Sequence, residues 1–369
     1  MRVLVVNAGS STLKLALLDE RDTTLASREL PSPRSKMDAD RLREALRSPL
    51  READAVGHRI VHGGERFTGP ARIDADVKMQ VRELCDLAPL HQPKSLAALD
   101  AVTELLPGLP AVACFDTAFH ASLPDASATY ALPGAWRERW GLRRYGFHGL
   151  SHAWVARRVP ELLDRAASEL RIVSCHLGAG ASLCAIADGR SLDTTMGFTP
   201  LAGLVMATRS GEVDPGMLLW LSEHEGLSAA ELADALEHRS GLLGLCGSAD
   251  MREVLARVDA GDRRARLALD VYLHRLRGGI AAMTAALGGI DVLVFTGGVG
   301  ERSPAVRARA THGLEFLGVS LDEALNRQAS GDTGIGTGGA GTRTLVLDSR
   351  EDLEIARQVR GVLESRQRA

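Results

Sequence analysis

The sequence predicts an α/β protein built from two similar halves, and three observations predict it. Strand-like apolar runs lead repeatedly into segments of helical periodicity. An apolar run, a small-residue turn and a second apolar run open the chain at 3–18. The same arrangement returns at 171–186, with Gly178 and Gly180 at its turn. The length of 369 residues suits two domains, at about 150 residues each.

The elements follow in order. Val3 to Leu18 reads as a β-hairpin around a Gly/Ser turn. A polar, proline-containing stretch from Leu30 to Met37 reads as a loop. Ala53 to Val61 reads as a strand ending in His62-Gly63-Gly64. Helical periodicity covers 81–87 and 95–106, and 111–115 is a short buried strand ending at Asp116. Pro124, Pro133 and Gly134 mark an irregular stretch suited to a crossing between domains. Helices are expected over 217–223, 228–238 and 262–287. The strand 291–295 runs into Thr296-Gly297-Gly298-Val299-Gly300. A glycine-rich stretch, 331–341, precedes a strand at 344–348 and a terminal helix near 352–366.

Composition removes several function classes. The formal charge is −3, so no basic excess drives binding along a nucleic-acid backbone. With 45% hydrophobic and 25% charged residues the chain is of folded, soluble type. Its five cysteines are scattered and form no CxxC pair, which disfavours a disulfide framework or a cysteine zinc site. The run Val3-Leu4-Val5-Val6 is too short for a signal segment, and no apolar stretch is long enough to span a bilayer. A cytoplasmic protein is expected.

Several groups of residues could carry chemistry. The turn Asn7-Ala8-Gly9-Ser10-Ser11-Thr12-Leu13-Lys14 offers an amide, three hydroxyls, glycine backbone and an ammonium, a set suited to phosphate oxygens. A plain hairpin turn explains it equally well. Asp116 stands at the carboxyl end of a strand, a common functional place in α/β folds, or else caps the next helix. His148 and His152 would share a face if both were helical, as in some zinc sites. A histidine beside a glycine turn that donates to a phosphoryl oxygen fits equally. Arg209, with Glu212 and Asp214 nearby, reads alone as a salt-bridged loop. Glu351 follows the last strand and could reach a metal ion or simply open a helix. The GxGxxG match at Gly336, Gly338 and Gly341 precedes a strand, so it reads as a loop rather than a pyrophosphate cradle. Taken together, glycine loops, two acids, two arginines and a histidine are what phosphoryl transfer needs.

The strings VLVVNAGSSTLK, GHRIVHGGERF, LAPLHQP, FDTAFH, RRYGFHGLSH, SCHLGAGAS, TTMGFTPLAGLVMATRSGEVDP and VFTGGVGERS closely resemble the acetate kinase family. They run from Val3 to Arg302 in family order. The resemblance implies two related domains of the actin-like, ribonuclease H-like ATPase fold. It implies one domain of 1–120 plus about 352–369 on the acyl-substrate side, and a nucleotide-binding, dimerising domain of 121–351. It further implies a cytoplasmic homodimer that needs Mg2+, with Mn2+ as an alternative. The implied reaction is reversible, direct in-line phosphoryl transfer from ATP to acetate, giving acetyl phosphate and ADP.

Position by position, Arg59, Asp116, His148 and Arg209 resemble the catalytic residues. Val61, Leu90, His91, Phe147 and Pro200, with Arg59, resemble the acyl-substrate site. Ser10, Thr12 and Lys14 resemble a first phosphate loop, and His176, Leu177, Gly178, Ala179 and Gly180 a second. Asp250, Met251 and Arg252, with Gly298 and Val299, resemble the adenosine pocket, and Gly297 and Gly300 are further ATP-binding positions by the same resemblance. Asn7 and Glu351 are similar to the metal-linked residues. Departures from the family pattern are Ala179 for Asn, Ala207 for Gly, Glu212, Met251 for an aromatic, and Arg350 for Asn. The rival expectations are a propionate kinase on the same scaffold and a non-catalytic ATP-binding protein.

Overall fold

The structure is a computed structural model that describes residues 1–9, 12–31, 38–87 and 92–365. Ser10, Leu90 and His91, each expected in a site, lie outside the described residues. The chain divides into two compact units. One comprises Met1–Ala121, Phe147–Trp154 and Arg350–Ala369, the other Ser122–Gly146 and Val155–Ser349.

The first unit holds a sheet of β1 (Val3–Ala8), β2 (Thr12–Leu18), β3 (Thr24–Pro31), β4 (Ala55–Ile60), β5 (Ala71–Arg72) and β6 (Ala111–Phe115). Their spatial order is β3-β2-β1-β4-β6-β5. The first three form an antiparallel meander. β4 joins β1 and β6 in parallel, and β5 returns antiparallel at the edge. β1 is central and its apolar run is buried on both faces. β3 is an exposed edge strand, where Pro31 costs no ladder bond at a strand end. Leu30 and Pro31 therefore belong to a strand and not to the expected loop; residues 32–37 lie outside the described set.

Helices cover both faces of this sheet. Leu4, Val6, Leu13, Leu15 and Leu17 pack with Leu42 and Val102 from the helices Ala39–Ala45 and Gln92–Leu105, and with Leu46, which caps the first of these. On the other face, a Cβ at Gly57 would stand 2.5 Å from Ile355 Cγ2, so the helix Glu351–Ser365 rests directly on β4. Side chains alternate along a strand. Arg59 therefore shares the Glu351 face with Gly57, whereas His58 and Ile60 enter the opposite core.

The second unit repeats this plan. Its strands are β7 (Arg171–Leu177), β8 (Ala181–Ala187), β9 (Arg190–Thr194), β10 (Val292–Thr296), β11 (Thr333–Gly334) and β12 (Arg343–Val346). They run β11-β12-β10-β7-β8-β9, with a meander, two parallel joins and an antiparallel edge pair. Strand for strand this is the first sheet again. Even the register shift between the second and third meander strands recurs, at Leu17/Leu18 and at Ala185/Ile186. The echo expected from two glycine-tipped hairpins thus extends to all six strands. The helix Arg263–Ala286 packs on β8, where Gly279 allows close approach to Leu183. The GxGxxG stretch leads into β12 with no helix after it, as its sequence suggested. Among the described residues, no helix is long and apolar enough to cross a membrane.

Candidate active site

In the first unit the parallel β4–β6 register creates the main polar cluster. Arg59 is opposite Cys114, and the ladder continues as the Asp116 N–H donates to the Ile60 carbonyl at 3.0 Å. Asp116 is thereby delivered beside Arg59. The guanidinium grips it in a fork, Nη2 to Oδ2 at 2.6 Å and Nε to Oδ1 at 3.1 Å. Nη1 of Arg59 donates to Asn7 Oδ1 at 3.1 Å, and Asn7 Nδ2 donates to Glu351 Oε2 at 2.8 Å. Four residues expected in the site form one chain of hydrogen bonds.

The electrostatics follow from burial. Burial opposes the charge on Arg59, but Asp116 and Glu351 outweigh it and push its pKa up. Burial pushes Asp116 up from the ordinary carboxylate value, and Glu351 adds to that, while Arg59 pulls it down. Two donors of one guanidinium bond the Asp116 carboxylate, so the pair is held as ions. The Asp116 side chain caps no helix; its fork with Arg59 replaces that alternative.

His148 sits just before the helix Gly149–Leu163, not within it. Its φ is +56°, the left-handed region, which residues with a Cβ seldom adopt. The loop is held from both sides. The Gly149 N–H donates to the Asp116 carbonyl at 2.9 Å, and His120 Nε2 lies 3.1 Å from the Phe147 carbonyl. A Cβ at 149 would collide with the Asp116 carbonyl, so glycine is required there.

Val61 and Phe147 are both buried in this unit, next to the His62-Gly63-Gly64 loop. Gln92 shapes that loop by accepting from the His62 N–H at 3.1 Å and donating to its carbonyl at 3.0 Å. Thr117 Oγ1 accepts from the Gly63 N–H at 2.9 Å, and the His62 ring meets Phe147 edge-on at 5.5 Å. Lys14 is not in the cluster; it pairs with Glu29 on an exposed face of the meander. Thr12 opens β2, where its carbonyl accepts from the Gly9 N–H at 2.8 Å.

In the second unit the glycine turns lie side by side. His176 pairs with Thr296 at the end of the parallel β7–β10 ladder. Gly297, at φ +76°, leaves only 2.8 Å between a would-be Cβ and the Leu177 carbonyl. Gly178 closes its turn by donating to the Gly180 carbonyl at 2.9 Å, and the Ala207 N–H donates to the Ala179 carbonyl at 3.1 Å. Gly298, Val299 and Gly300 form the first turn of the helix Gly297–Arg302. Such a helix start beside a glycine turn presents N–H groups suited to anions.

Arg209 belongs to this unit and its partners differ from those expected. It pairs with Glu237 at 3.3 Å, rather than with Glu212 or Asp214, and donates to the Pro200 carbonyl at 2.9 Å. Asp214 instead caps the helix Pro215–His224. Asp250 caps the helix Met251–Asp259, Arg252 folds back onto it at 2.5 Å, and Met251 is buried. Arg350 forks onto Asp352 in the first turn of the terminal helix.

Sequence reasoning missed Gln92, Thr117, His120, Glu237 and Glu301. Glu301 lies one turn beyond Gly297; burial raises its pKa, and it accepts from the Ser349 N–H at 2.8 Å. Each acts on a backbone or charged group distant in sequence, so no local pattern exposes it. Among the described residues, no cluster of three or more His, Cys, Asp or Glu could hold a metal by itself.

Two sheets of identical strand order, each with a glycine-tipped hairpin, define the actin-like ATPase fold. Residues 34–357 match the acetokinase family. The acetate kinase of Dictyoglomus thermophilum is 42% identical over 97% of this chain and 98% of its own. The crystal structure of Porphyromonas gingivalis acetate kinase superposes with a TM-score of 0.89 at 37% identity, covering 98% of this chain and 99% of that one. A Francisella tularensis propionate kinase gives a TM-score of 0.89 at 34% identity, covering 97% and 98%. The chain belongs to the acetokinase family.

Proposed function

We propose that this chain is an acetate kinase, catalysing Mg2+-dependent, reversible, in-line phosphoryl transfer from ATP to acetate. The observation that carries the reading is the hydrogen-bonded chain Asp116–Arg59–Asn7–Glu351, which fixes a buried cation beside an acid at a helix start. A carboxylate is already an anionic nucleophile, so no general base is needed. The barrier is repulsion between that anion and the phosphate, which cations relieve. Arg59 binds the acetate carboxylate, and Asp116 holds the guanidinium in one orientation. Arg209, steadied by Glu237 and the Pro200 carbonyl, offsets charge on the transferring group. His148 donates to a phosphoryl oxygen in the transition state. A donor placed in this way contributes about 3–4 kcal/mol.

Glu351 and the Asn7 amide supply oxygen donors but no complete cage. That set fits Mg2+, which keeps several waters and is shared with substrate phosphates. When bound, the ion neutralises phosphate charge. The paired glycine turns at Leu177–Gly180 and Gly297–Gly300 receive the phosphates, and Met251 packs on adenine. Val61 and Phe147 form the acyl wall. Val61 favours acetate, and one methylene separates substrates by only about 1–3 kcal/mol, so propionate is a second substrate. Retention of Arg59, His148 and Arg209 speaks against a non-catalytic ATP-binding protein. The protein acts in the cytoplasm as a homodimer. The test of the activity is acyl phosphate formation from Mg-ATP and acetate, trapped as the hydroxamate.

A further inference from the structure

We infer that His120 is a positioning residue for phosphoryl transfer, clamping the backbone that carries His148. The inference rests on the proposed role of His148 and extends it.

A carbonyl oxygen only accepts hydrogen bonds, so the 3.1 Å contact requires a proton on His120 Nε2, donated to the Phe147 carbonyl. That carbonyl belongs to the peptide entering His148. The peptide leaving His148 is held through the Gly149 N–H by the Asp116 carbonyl, at 2.9 Å. His148 is thus pinned on both flanks, and it needs to be, because its left-handed φ of +56° is disfavoured for a residue with a Cβ.

Both anchors come from one short segment. Asp116 ends the β6 ladder, and the turn through Ala118–His120 closes as the His120 N–H donates to the Thr117 carbonyl at 3.1 Å. The same segment supplies the carboxylate that orients Arg59 and the Thr117 hydroxyl that holds the Gly63 N–H. His120 itself is 1% exposed, and its ring lies edge-on to those of His152, at 5.7 Å, and Phe119, at 5.6 Å. A buried ring packed from two sides aims its N–H in one direction. The arrangement couples the orientation of His148 to that of Arg59 through a single rigid turn.

The experiment measures kcat and both KM values for wild type, His120→Phe, His120→Gln, His148→Ala and the double variant His120→Phe/His148→Ala. Phe keeps the ring and removes the donor, whereas Gln keeps a donor. The expected result is a fall in kcat of about 10–100-fold for His120→Phe, the cost of misplacing a catalytic group by about 1 Å. KM for ATP stays unchanged, and His120→Gln stays within about threefold of wild type. In the His148→Ala background, His120→Phe has almost no further effect. An equal loss with and without His148, or an unchanged kcat, overturns the proposal. A wild-type enzyme that phosphorylates no carboxylate overturns the kinase reading instead. The clamp has its own test, which needs no variant. In 15N-histidine spectra of the wild-type protein, His120 shows an exchange-protected proton on Nε2. An Nε2 without a proton overturns the clamp whatever the activity.

Discussion

Arg59 and Asp116, 57 positions apart, form a forked ion pair whose carboxylate is 1% exposed and whose guanidinium is 14% exposed. The parallel β4–β6 register sets this pair, and the Asn7 and Glu351 bonds extend it. Removing one partner leaves the other charge buried and unpaired. Arg59→Ala is therefore expected to lower turnover by at least about a thousandfold and to cost roughly 3–5 kcal/mol of stability. Without Arg59 the pKa of Asp116 rises further, and stability in that variant falls as pH rises through it. The double variant Arg59→Leu/Asp116→Leu recovers stability and not activity. Urea unfolding at pH 5 and pH 8, with steady-state rates, checks all three statements.

His58 gives a separate acid response. It is fully buried, neither ring nitrogen has a hydrogen-bond partner, and burial lowers its pKa from 6.5 to about 3. Asp100 raises it slightly against that trend. The unfolded chain takes up this proton first. Stability is thus intact above about pH 6.5 and is lost as pH falls toward 3, at about 1.4 kcal/mol per pH unit from this group. His58→Leu is expected to unfold with a shallower acid dependence and to keep its neutral-pH stability. Equal slopes for both proteins in urea titrations at pH 7 and 4.5 would contradict this.

Gly149 and Gly297 hold two turns that tolerate no Cβ. One faces the Asp116 carbonyl and the other the Leu177 carbonyl. Gly149→Ala should displace His148 and cut kcat by about 100-fold or more, with ATP affinity retained. Gly297→Ala should do the reverse and weaken nucleotide binding. Calorimetric titration with ATP, set beside initial rates, separates the two outcomes.

Asn7 links Arg59 to Glu351, and under the proposed function both Asn7 and Glu351 face Mg2+. Asn7→Ala should then raise the Mg2+ concentration for half-maximal rate by about 10–100-fold. Glu351→Gln should raise it further. Rates measured across a Mg2+ series at fixed ATP test the order of the two effects.

Much of this was legible in the sequence. The β1–β2 hairpin, the glycine turn after β10 and the helix Arg263–Ala286 carry clear alternation, glycine placement and helical period. Strand neighbours were not legible, because a parallel join such as β1–β4 leaves no local mark. That is why the twofold repeat of the six-strand order emerges only from the sheets. Asn7 and Glu351 are 344 positions apart, and their bond needs the terminal helix to start beside the carboxyl end of the central strand β1. Arg209 shows the limit of local reading. Its neighbours Glu212 and Asp214 suggested a loop pair, but its partner is Glu237, from the helix Ala229–His238. The helices Ala39–Ala45 and Pro304–Thr311 carry too few apolar repeats to stand out.

The most direct test of the central claim is the hydroxamate assay with Mg-ATP, run in parallel on acetate, propionate and butyrate. The account predicts acyl phosphate from acetate fastest, propionate slower and butyrate slowest. Product from none of the three acids, with ATP still bound by the protein, would contradict it.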